Sequence, residues 1–337
     1  MVEPQYRLTE KILSLVEGIS DLSTQIRLTS RELHLRKENR IRSIQSSLAI
    51  ENNSLSLEQV TDIIQGTRVL GPPQDILEVQ NAYQAYELAC GLDPYDIGDF
   101  LKAHRLLSKE LVGHPGEFRY GDVGGYDGDG RVVHVGARPQ FVPDLVKELF
   151  GWAKQSSLSD LVKSSIVHFE LEIIHPFEDG NGRMGRLWQS LILSQSRPIF
   201  EWLSIEYVLY ENQAGYYKAL EMSNHQADAT YFIEFMLEAI LETLESVSRE
   251  PTSLSPLLDS SLEGLRDKER RVFEVIRPVL LKDKEMTSST FSELTGYSPI
   301  TCRRCLSRLV EVGILVATGL TKNRVYRLVG MTERHGQ

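Results

Sequence analysis

The sequence predicts a mainly α-helical protein that carries one β-hairpin and ends in a smaller module of helices and strands. Three observations predict this. Apolar residues recur at helical spacing over residues 8–244; residues 121–138 are rich in glycine and read as two β-prone pieces around a turn; and the charge balance changes sign after residue 264.

A chain of 337 residues exceeds a typical single domain of roughly 100 to 200 residues, so a main domain with an appendage is expected. With 41% hydrophobic and 25% charged residues the composition is that of a folded, soluble protein and argues against long disorder. The opening MVEPQYRLTEKILSLVEG has no basic patch followed by an apolar run, and nowhere do about eighteen apolar residues run together. Export and membrane spanning are therefore not expected, and a cytoplasmic location is. Cys90, Cys302 and Cys305 are too few for a disulfide framework, and Cys302/Cys305 lack the second pair that a structural zinc site needs. The net charge of −10 makes the whole chain a poor electrostatic partner for nucleic acid.

In order, residues 1–100 form an N-terminal helical region, with Ile12, Leu15 and Val16 on one apolar stripe. A core domain spans residues 101–248. It contains the hairpin, turning at Asp127-Gly128-Asp129-Gly130, and helices marked by Leu145/Leu149, Ile166/Phe169/Ile173 and Phe232/Phe235/Leu237/Ile240. Residues 249–263, with Pro251, Pro256 and several serines, read as a linker.

Residues 264–330 form the module. From Gly264 onward fourteen Lys/Arg stand against eight Asp/Glu, a basic segment of the kind that contacts nucleic acid. Helices over 268–281 and 289–294 precede Thr295-Gly296-Tyr297, after which Ser298 caps and Pro299 opens a helix to about residue 312, stopped by Gly313. The remainder alternates and turns around residues 319–323, giving two strands, so the module reads as a winged helix-turn-helix. Cys302, Leu306 and Leu309 form the apolar stripe of the Pro299 helix, with Cys305 beside it. Arg303, Arg304 and Arg308 then face outward as candidate DNA contacts, with Lys322 and Arg324 of the wing touching backbone. Winged helices also mediate protein contacts and dimers.

The chemistry concentrates in residues 175–186, HPFEDGNGRMGR. A helical pattern over residues 161–174 must falter at His175, because a residue before proline is pushed out of the α region. That leaves His175 at a helix end facing a loop, where an imidazole accepts a proton near neutral pH. Gly180-Asn181-Gly182 permits positive φ just where an amphipathic helix with Leu187, Leu191 and Ile192 begins, and free N–H groups at such a start favour an anion. Arg183 and Arg186, three apart, share a face beside that site and suit a polyphosphate. Asp179 supplies a hard oxygen of the sort that holds Mg²⁺ against substrate phosphates, and Phe177 plugs the core.

This stretch resembles the signature of the Fic family at every defined position, and the resemblance extends over the surrounding helical region, residues 8–244, and the hairpin, which corresponds to the family's flap. The resemblance implies a protein adenylyltransferase using ATP and Mg²⁺. His175 would deprotonate a Ser, Thr or Tyr hydroxyl of a target protein, and the hydroxyl oxygen would attack the α-phosphate with loss of pyrophosphate. Asp179 would bind Mg²⁺; Asn181 and the amides of Gly180 and Gly182 would hold the α-phosphate region; Arg183 and Arg186 would hold the β- and γ-phosphates. Tyr216, Tyr217 and Asn224 correspond to positions around the adenosine. In the family the hairpin edge aligns a target peptide by strand addition, with His134, Val135, Gly136, Ala137 and Arg138 placed over the nucleotide.

Upstream, Ser47 and Glu51 are four apart and share a helical face. Together with Asn52 they resemble the family's inhibitory motif, which implies that Glu51 pairs with Arg186 and blocks seating of the γ-phosphate. Two alternatives stand beside the transferase: a hydrolase that removes AMP at the same site, and a nucleotide-sensing DNA-binding regulator. The expected partners are a protein substrate, the chain itself included, a second copy in a homodimer, and DNA through the module.

Overall fold

A computed structural model of the chain describes residues 3–26, 32–126, 132–201, 203–249, 285–318 and 324–328, together with 265, 269, 272–273, 275–277 and 279–280. The chain divides into two compact units, Met1–Val247 and Ser248–Gln337.

Among the described residues the first unit contains α1 (Glu10–Gln25), α2 (Glu32–Ile50), α3 (Leu57–Ile64), α4 (Pro73–Ala89) and α5 (Ile97–Leu107). A hairpin of β1 (Gly124–Tyr126) and β2 (Val132–Val135) follows. It is succeeded by α6 (Val142–Gln155), α7 (Asp160–Ile174), α8 (Asn181–Ser196), α9 (Ile205–Glu211), α10 (Gln213–Gln226) and α11 (Thr230–Arg249). Local chemistry sets many of the starts. Thr9, Asp96 and Asn212 accept hydrogen bonds from backbone N–H groups in the first turns of α1, α5 and α10. Ser56 and Gln59 form a reciprocal capping box on α3, and Pro73 opens α4.

The antiparallel pair α7 and α8 is the spine. Both helices are buried around most of their circumference, which is the pattern of a helix enclosed on all sides. Val167, Leu171 and Ile174 of α7, with Met184, Leu187, Trp188 and Leu191 of α8, join one core with α2 to α6. Leu161, Val162, Ile166 and Phe169 face a second core with α1 and α9 to α11. Trp188 is fully buried, and its indole N–H donates to the Pro94 carbonyl at 2.8 Å, which pins the segment before α5 to α8. The loop between α7 and α8 is thereby held at one end of a rigid helical pair.

In the hairpin, Gly124 pairs with Val135 and Gly125 with His134, and the register shifts between Gly125 and Tyr126. The expected turn at residues 127–130 lies outside the described residues, as does the linker beyond residue 249.

In the second unit the described positions between 269 and 280 are helical. They are followed by β3 (Met286–Thr287), α12 (Ser288–Thr295), α13 (Pro299–Glu311), β4 (Leu315–Thr318) and β5 (Val325–Leu328). Gly296 ends α12 at φ 65°, and Ser298 caps α13 through the Thr301 N–H. The strands form an antiparallel sheet ordered β3-β5-β4. The third strand, β3, is two residues long and carries no periodic signal, so the sequence shows only the other two. Cys302, Cys305, Leu306 and Leu309 are buried with Phe273, Ile276 and Tyr326, while Arg303, Arg304, Arg308 and Arg324 are exposed. Arg308 pairs with Glu311 at 3.1 Å, and Arg324 lies over the Tyr326 ring. Lys322 lies outside the described residues. Among the described residues, no helix is long and apolar enough to cross a membrane.

Candidate active site

The site grows from the end of α7. His175 adopts φ 52° and ψ 63°, and its N–H closes the last helical turn onto the Leu171 carbonyl at 2.9 Å. A left-handed conformation at a residue with a side chain is costly and persists only where neighbours enforce it. Arg119 is the enforcer. Its Nε–H donates to the His175 carbonyl at 2.6 Å and one Nη to the Ile174 carbonyl at 3.3 Å, while its own backbone N–H donates to the Pro176 carbonyl at 3.0 Å.

The same guanidinium donates to the Gly121 carbonyl at 2.7 Å and to the Ala137 carbonyl, so one buried arginine ties the backbone at the end of α7 to both ends of the hairpin segment. Gly136 is the close approach that permits this: a Cβ there would lie 3.2 Å from the His175 Cβ and 2.9 Å from Arg119. Lysine cannot reproduce the fork. Arg119→Lys is expected to lower stability by about 1–3 kcal/mol, measured by chemical denaturation.

The loop itself closes on Phe177, which is fully buried against Phe100 and Phe118 and stacks on His104 at 3.6 Å. Asn181 accepts from the Phe177 N–H at 2.8 Å and donates to the Phe177 carbonyl at 3.0 Å. Its side chain is thus engaged by the loop through both its oxygen and its nitrogen.

His104 is buried, and burial pushes its pKa down to about 4. It accepts from the Gly116 N–H at Nδ1, 3.0 Å away, which assigns the remaining proton to Nε2, facing the Asp179 carbonyl at 3.1 Å and Ser108 Oγ at 2.9 Å. The folded pKa lies below the unfolded value, so this stabilisation is fully present above about pH 6.5 and is lost as pH falls towards 4, on the order of 3 kcal/mol in all. His104→Asn is expected to flatten the decline in stability between pH 6.5 and pH 4, measured by urea denaturation at the two pH values.

At the start of α8, Gly180 sits at φ 84° and no side chain caps the helix. Asp179 accepts from the Gly180 N–H at 2.7 Å with one carboxylate oxygen and from Arg183 at 2.8 Å with the other, and its side chain is 61% exposed. Arg183 is only 4% exposed; Glu78 of α4 lies 3.8 Å from it on another side, and its Nε–H is buried without a hydrogen-bond partner.

Arg186, 2% exposed, donates through Nε to Ser47 Oγ at 3.0 Å and through Nη2 to the Ser47 carbonyl at 2.9 Å and Glu51 Oε1 at 2.8 Å. Burial alone would lower the Arg186 pKa, but Glu51, Tyr216 and Glu172 hold it above the usual guanidinium range.

The helix carrying Ser47 ends at Ile50, one residue before Glu51, so Glu51 stands on the turn that follows rather than on the helix. Asn52 comes next at φ 67°, a conformation asparagine tolerates better than most residues. The turn is anchored from α10, where Gln213 and Tyr217 both donate to the Ile50 carbonyl, at 2.9 and 3.3 Å. Gly182 lies against it: a Cβ there would collide with a Glu51 carboxylate oxygen.

Of the remaining sequence-derived residues, Tyr216 is buried in the second core with its hydroxyl 3.0 Å from His168 Nε2, so its ring is not offered to an open pocket. Tyr217 is exposed and Asn224 half-buried on α10. Backbone places Val135 at the end of β2, and Arg138 is exposed beyond it. Sequence reasoning missed Arg119, His104, Glu78 and Glu172. Burial pushes the Glu172 carboxyl up, but His168, Arg186 and His175 around it leave it below the ordinary range.

Residues 94–193 match the Fic/DOC family. A crystal structure of a Fic family protein from Desulfovibrio desulfuricans G20 is 36% identical and superposes with a TM-score of 0.74, covering 99% of this chain and 100% of that one. The chain belongs to the Fic/DOC family. This Fic protein is also 25% identical over 289 residues to protein adenylyltransferase fic-1 of Caenorhabditis elegans, covering 80% of this chain and 53% of that protein. It is 29% identical over 257 residues to protein adenylyltransferase Fic of Aedes aegypti, covering 71% and 46%. The chain thus spans about half the length of these curated relatives. A solved fragment of C. elegans Fic-1, at 21% identity and a TM-score of 0.61, shares the fold over 73% of each chain.

Proposed function

We propose that this Fic protein is a protein adenylyltransferase that moves AMP from ATP to a hydroxyl side chain of a protein and is held in check by Glu51. One arrangement carries the reading: within one loop and one helix start stand a left-handed His175, an exposed Asp179 carboxylate, an N-terminus free of side-chain caps, and two buried arginines.

The chemistry follows from these positions. The His175 imidazole takes the proton of the target hydroxyl as its oxygen bonds to the α-phosphorus, and the bond from that phosphorus to the β-bridging oxygen breaks, releasing pyrophosphate. Backbone N–H groups at the start of α8 and the guanidinium groups of Arg183 and Arg186 meet the charge that gathers on the phosphate oxygens. Asp179 fits a Mg²⁺ site of the one-carboxylate kind, since its hard oxygens are exposed beside the phosphate cradle; an ion bound there would offset phosphate charge. The hairpin, tied at its base to His175 through Arg119, would act as the flap that aligns a target strand.

Glu51 occupies the space between Gly182 and Arg186, where a terminal phosphate would sit. The second unit reads as a winged helix-turn-helix, with Arg303, Arg304, Arg308, Lys322 and Arg324 as candidate DNA contacts. A homodimer, a cytoplasmic location and a Ser, Thr or Tyr target belong to the same reading.

The test is intact-mass and peptide mass spectrometry of the wild-type and Glu51→Gly proteins after incubation with Mg²⁺ and each of ATP, GTP, CTP and UTP, alone and with cell lysate. AMP added by the Glu51→Gly protein from ATP supports the reading. Addition of another nucleotide replaces the donor, and removal of AMP from a modified protein without any addition favours the hydrolase.

A further inference from the structure

Arg183 is a buried part of the phosphate cradle, and its surroundings are unbalanced. Its guanidinium has one close carboxylate, Asp179 at 2.8 Å, whose side chain is exposed and which the proposed function assigns to the metal. A second carboxylate, Glu78 of α4, lies 3.8 Å away with its side chain 14% exposed. A buried guanidinium needs a compensating charge at every stage of a reaction. Once Asp179 turns to a cation, the protein carboxylate left beside Arg183 is Glu78.

Glu78 has another contact. Its second oxygen accepts from the Asn53 side-chain N–H at 2.8 Å, and the same N–H group donates to the Asp75 carbonyl at 3.2 Å. Asn53 stands two residues after Glu51, on the turn that ends the inhibitory segment, and next to it Ser54 is bound to Asp75 through both its N–H and its hydroxyl. Arg183 therefore meets the turn bearing Glu51 through a single shared side chain, while Arg186 meets it directly.

We propose that Glu78 is a positioning residue for Arg183 and that, through Asn53, it links the placement of this phosphate-binding arginine to the turn that carries Glu51. With the turn docked, Asn53 holds Glu78 in part away from Arg183. When the turn moves, Glu78 is free to close on Arg183 as Asp179 leaves it. The inhibitory segment then acts on both arginines, on Arg186 by direct contact and on Arg183 by way of α4.

The proposal rests on the transferase reading for its biological meaning, but binding tests it separately. In the full chain carrying Glu51→Gly, the affinities for ATP and AMP are measured with Mg²⁺ by calorimetry, with and without Glu78→Gln, which keeps an acceptor for Asn53 and removes the charge. The expected result is an ATP affinity lowered about tenfold with AMP affinity and thermal midpoint unchanged, because only ATP reaches Arg183. An unchanged ATP affinity, or an equal loss for ATP and AMP, overturns the positioning role.

Asn53→Asp tests the link. It keeps the acceptor that Leu55 N–H uses and sets a carboxylate against Glu78. It is expected to raise ATP affinity about threefold or more in the chain that retains Glu51, and to have no such effect with Glu51→Gly. No rise, or the same rise in both backgrounds, overturns the coupling. If the Glu51→Gly protein binds ATP and transfers no AMP, the transferase reading fails while the role of Glu78 is still decided by the affinities. Failure of that protein to bind ATP overturns both.

Discussion

In the Glu51→Gly background, His175→Ala is expected to lower AMP transfer by about 10³-fold, within the range a positioned general base contributes, while leaving ATP affinity within about twofold. The separation follows from how His175 is held. Arg119 grips its carbonyl, and the helix is closed through its N–H, so the backbone contacts do not depend on the imidazole. Truncation therefore removes the proton acceptor and leaves the helix end, the Phe177 plug and the phosphate cradle in place. Single-turnover transfer with ATP and a protein acceptor, paired with calorimetric ATP binding, separates the two quantities. A parallel loss of ATP affinity would show that the imidazole shapes the cradle and would sink the general-base assignment.

Glu51→Gly is the second large effect, and it has two signs. Seating a terminal phosphate requires Arg186 to exchange one anion for another, so loss of the resident carboxylate is expected to raise transfer by about 30-fold, on the order of 2 kcal/mol. That figure is set below the range for a fully buried pair because the Glu51 side chain is 36% exposed. The same change takes the close carboxylate away from a guanidinium that is almost wholly buried, so the thermal midpoint of the ligand-free protein should fall. Saturating ATP should restore it, since a ligand that binds the folded state stabilises it by mass action. Differential scanning fluorimetry with and without ATP and Mg²⁺ reads this. A variant that gains neither activity nor ATP-dependent stabilisation would place the obstruction elsewhere.

The mainly helical architecture was legible because helical spacing of apolar residues persists through the first unit, and the break at His175 was legible because Pro176 follows it. Ser47 and Glu51 both touch Arg186, although the expected shared helical face does not hold, because the helix ends at Ile50. Two of the hidden residues, Arg119 and His104, work on backbone groups far away in the sequence. Arg119 lies in an irregular loop and acts on carbonyl oxygens of residues 121, 137, 174 and 175, so no side-chain pattern announces it. His104 works through the Asp179 carbonyl, 75 residues away. Asn181 also holds its own loop, with its amide bonded to both backbone groups of Phe177. Contacts between side chains and distant backbone carry no periodicity and no spacing rule, and they are what hold this site in shape.

The position of Glu51 on the same chain as its target arginine has a kinetic side. If Glu51 obstructs the site as proposed, it is never diluted: its effective concentration at Arg186 is set by the packing of α2 and by the hydrogen bonds from Gln213 and Tyr217 to Ile50, not by the amount of any inhibitor in solution. Even flexible short tethers give local concentrations in the millimolar range, and a turn anchored on two helices exceeds them. On the proposed reading, a displacement of α2 or α10 large enough to draw the tethered carboxylate out of reach would release Arg186 without any approach to the nucleotide.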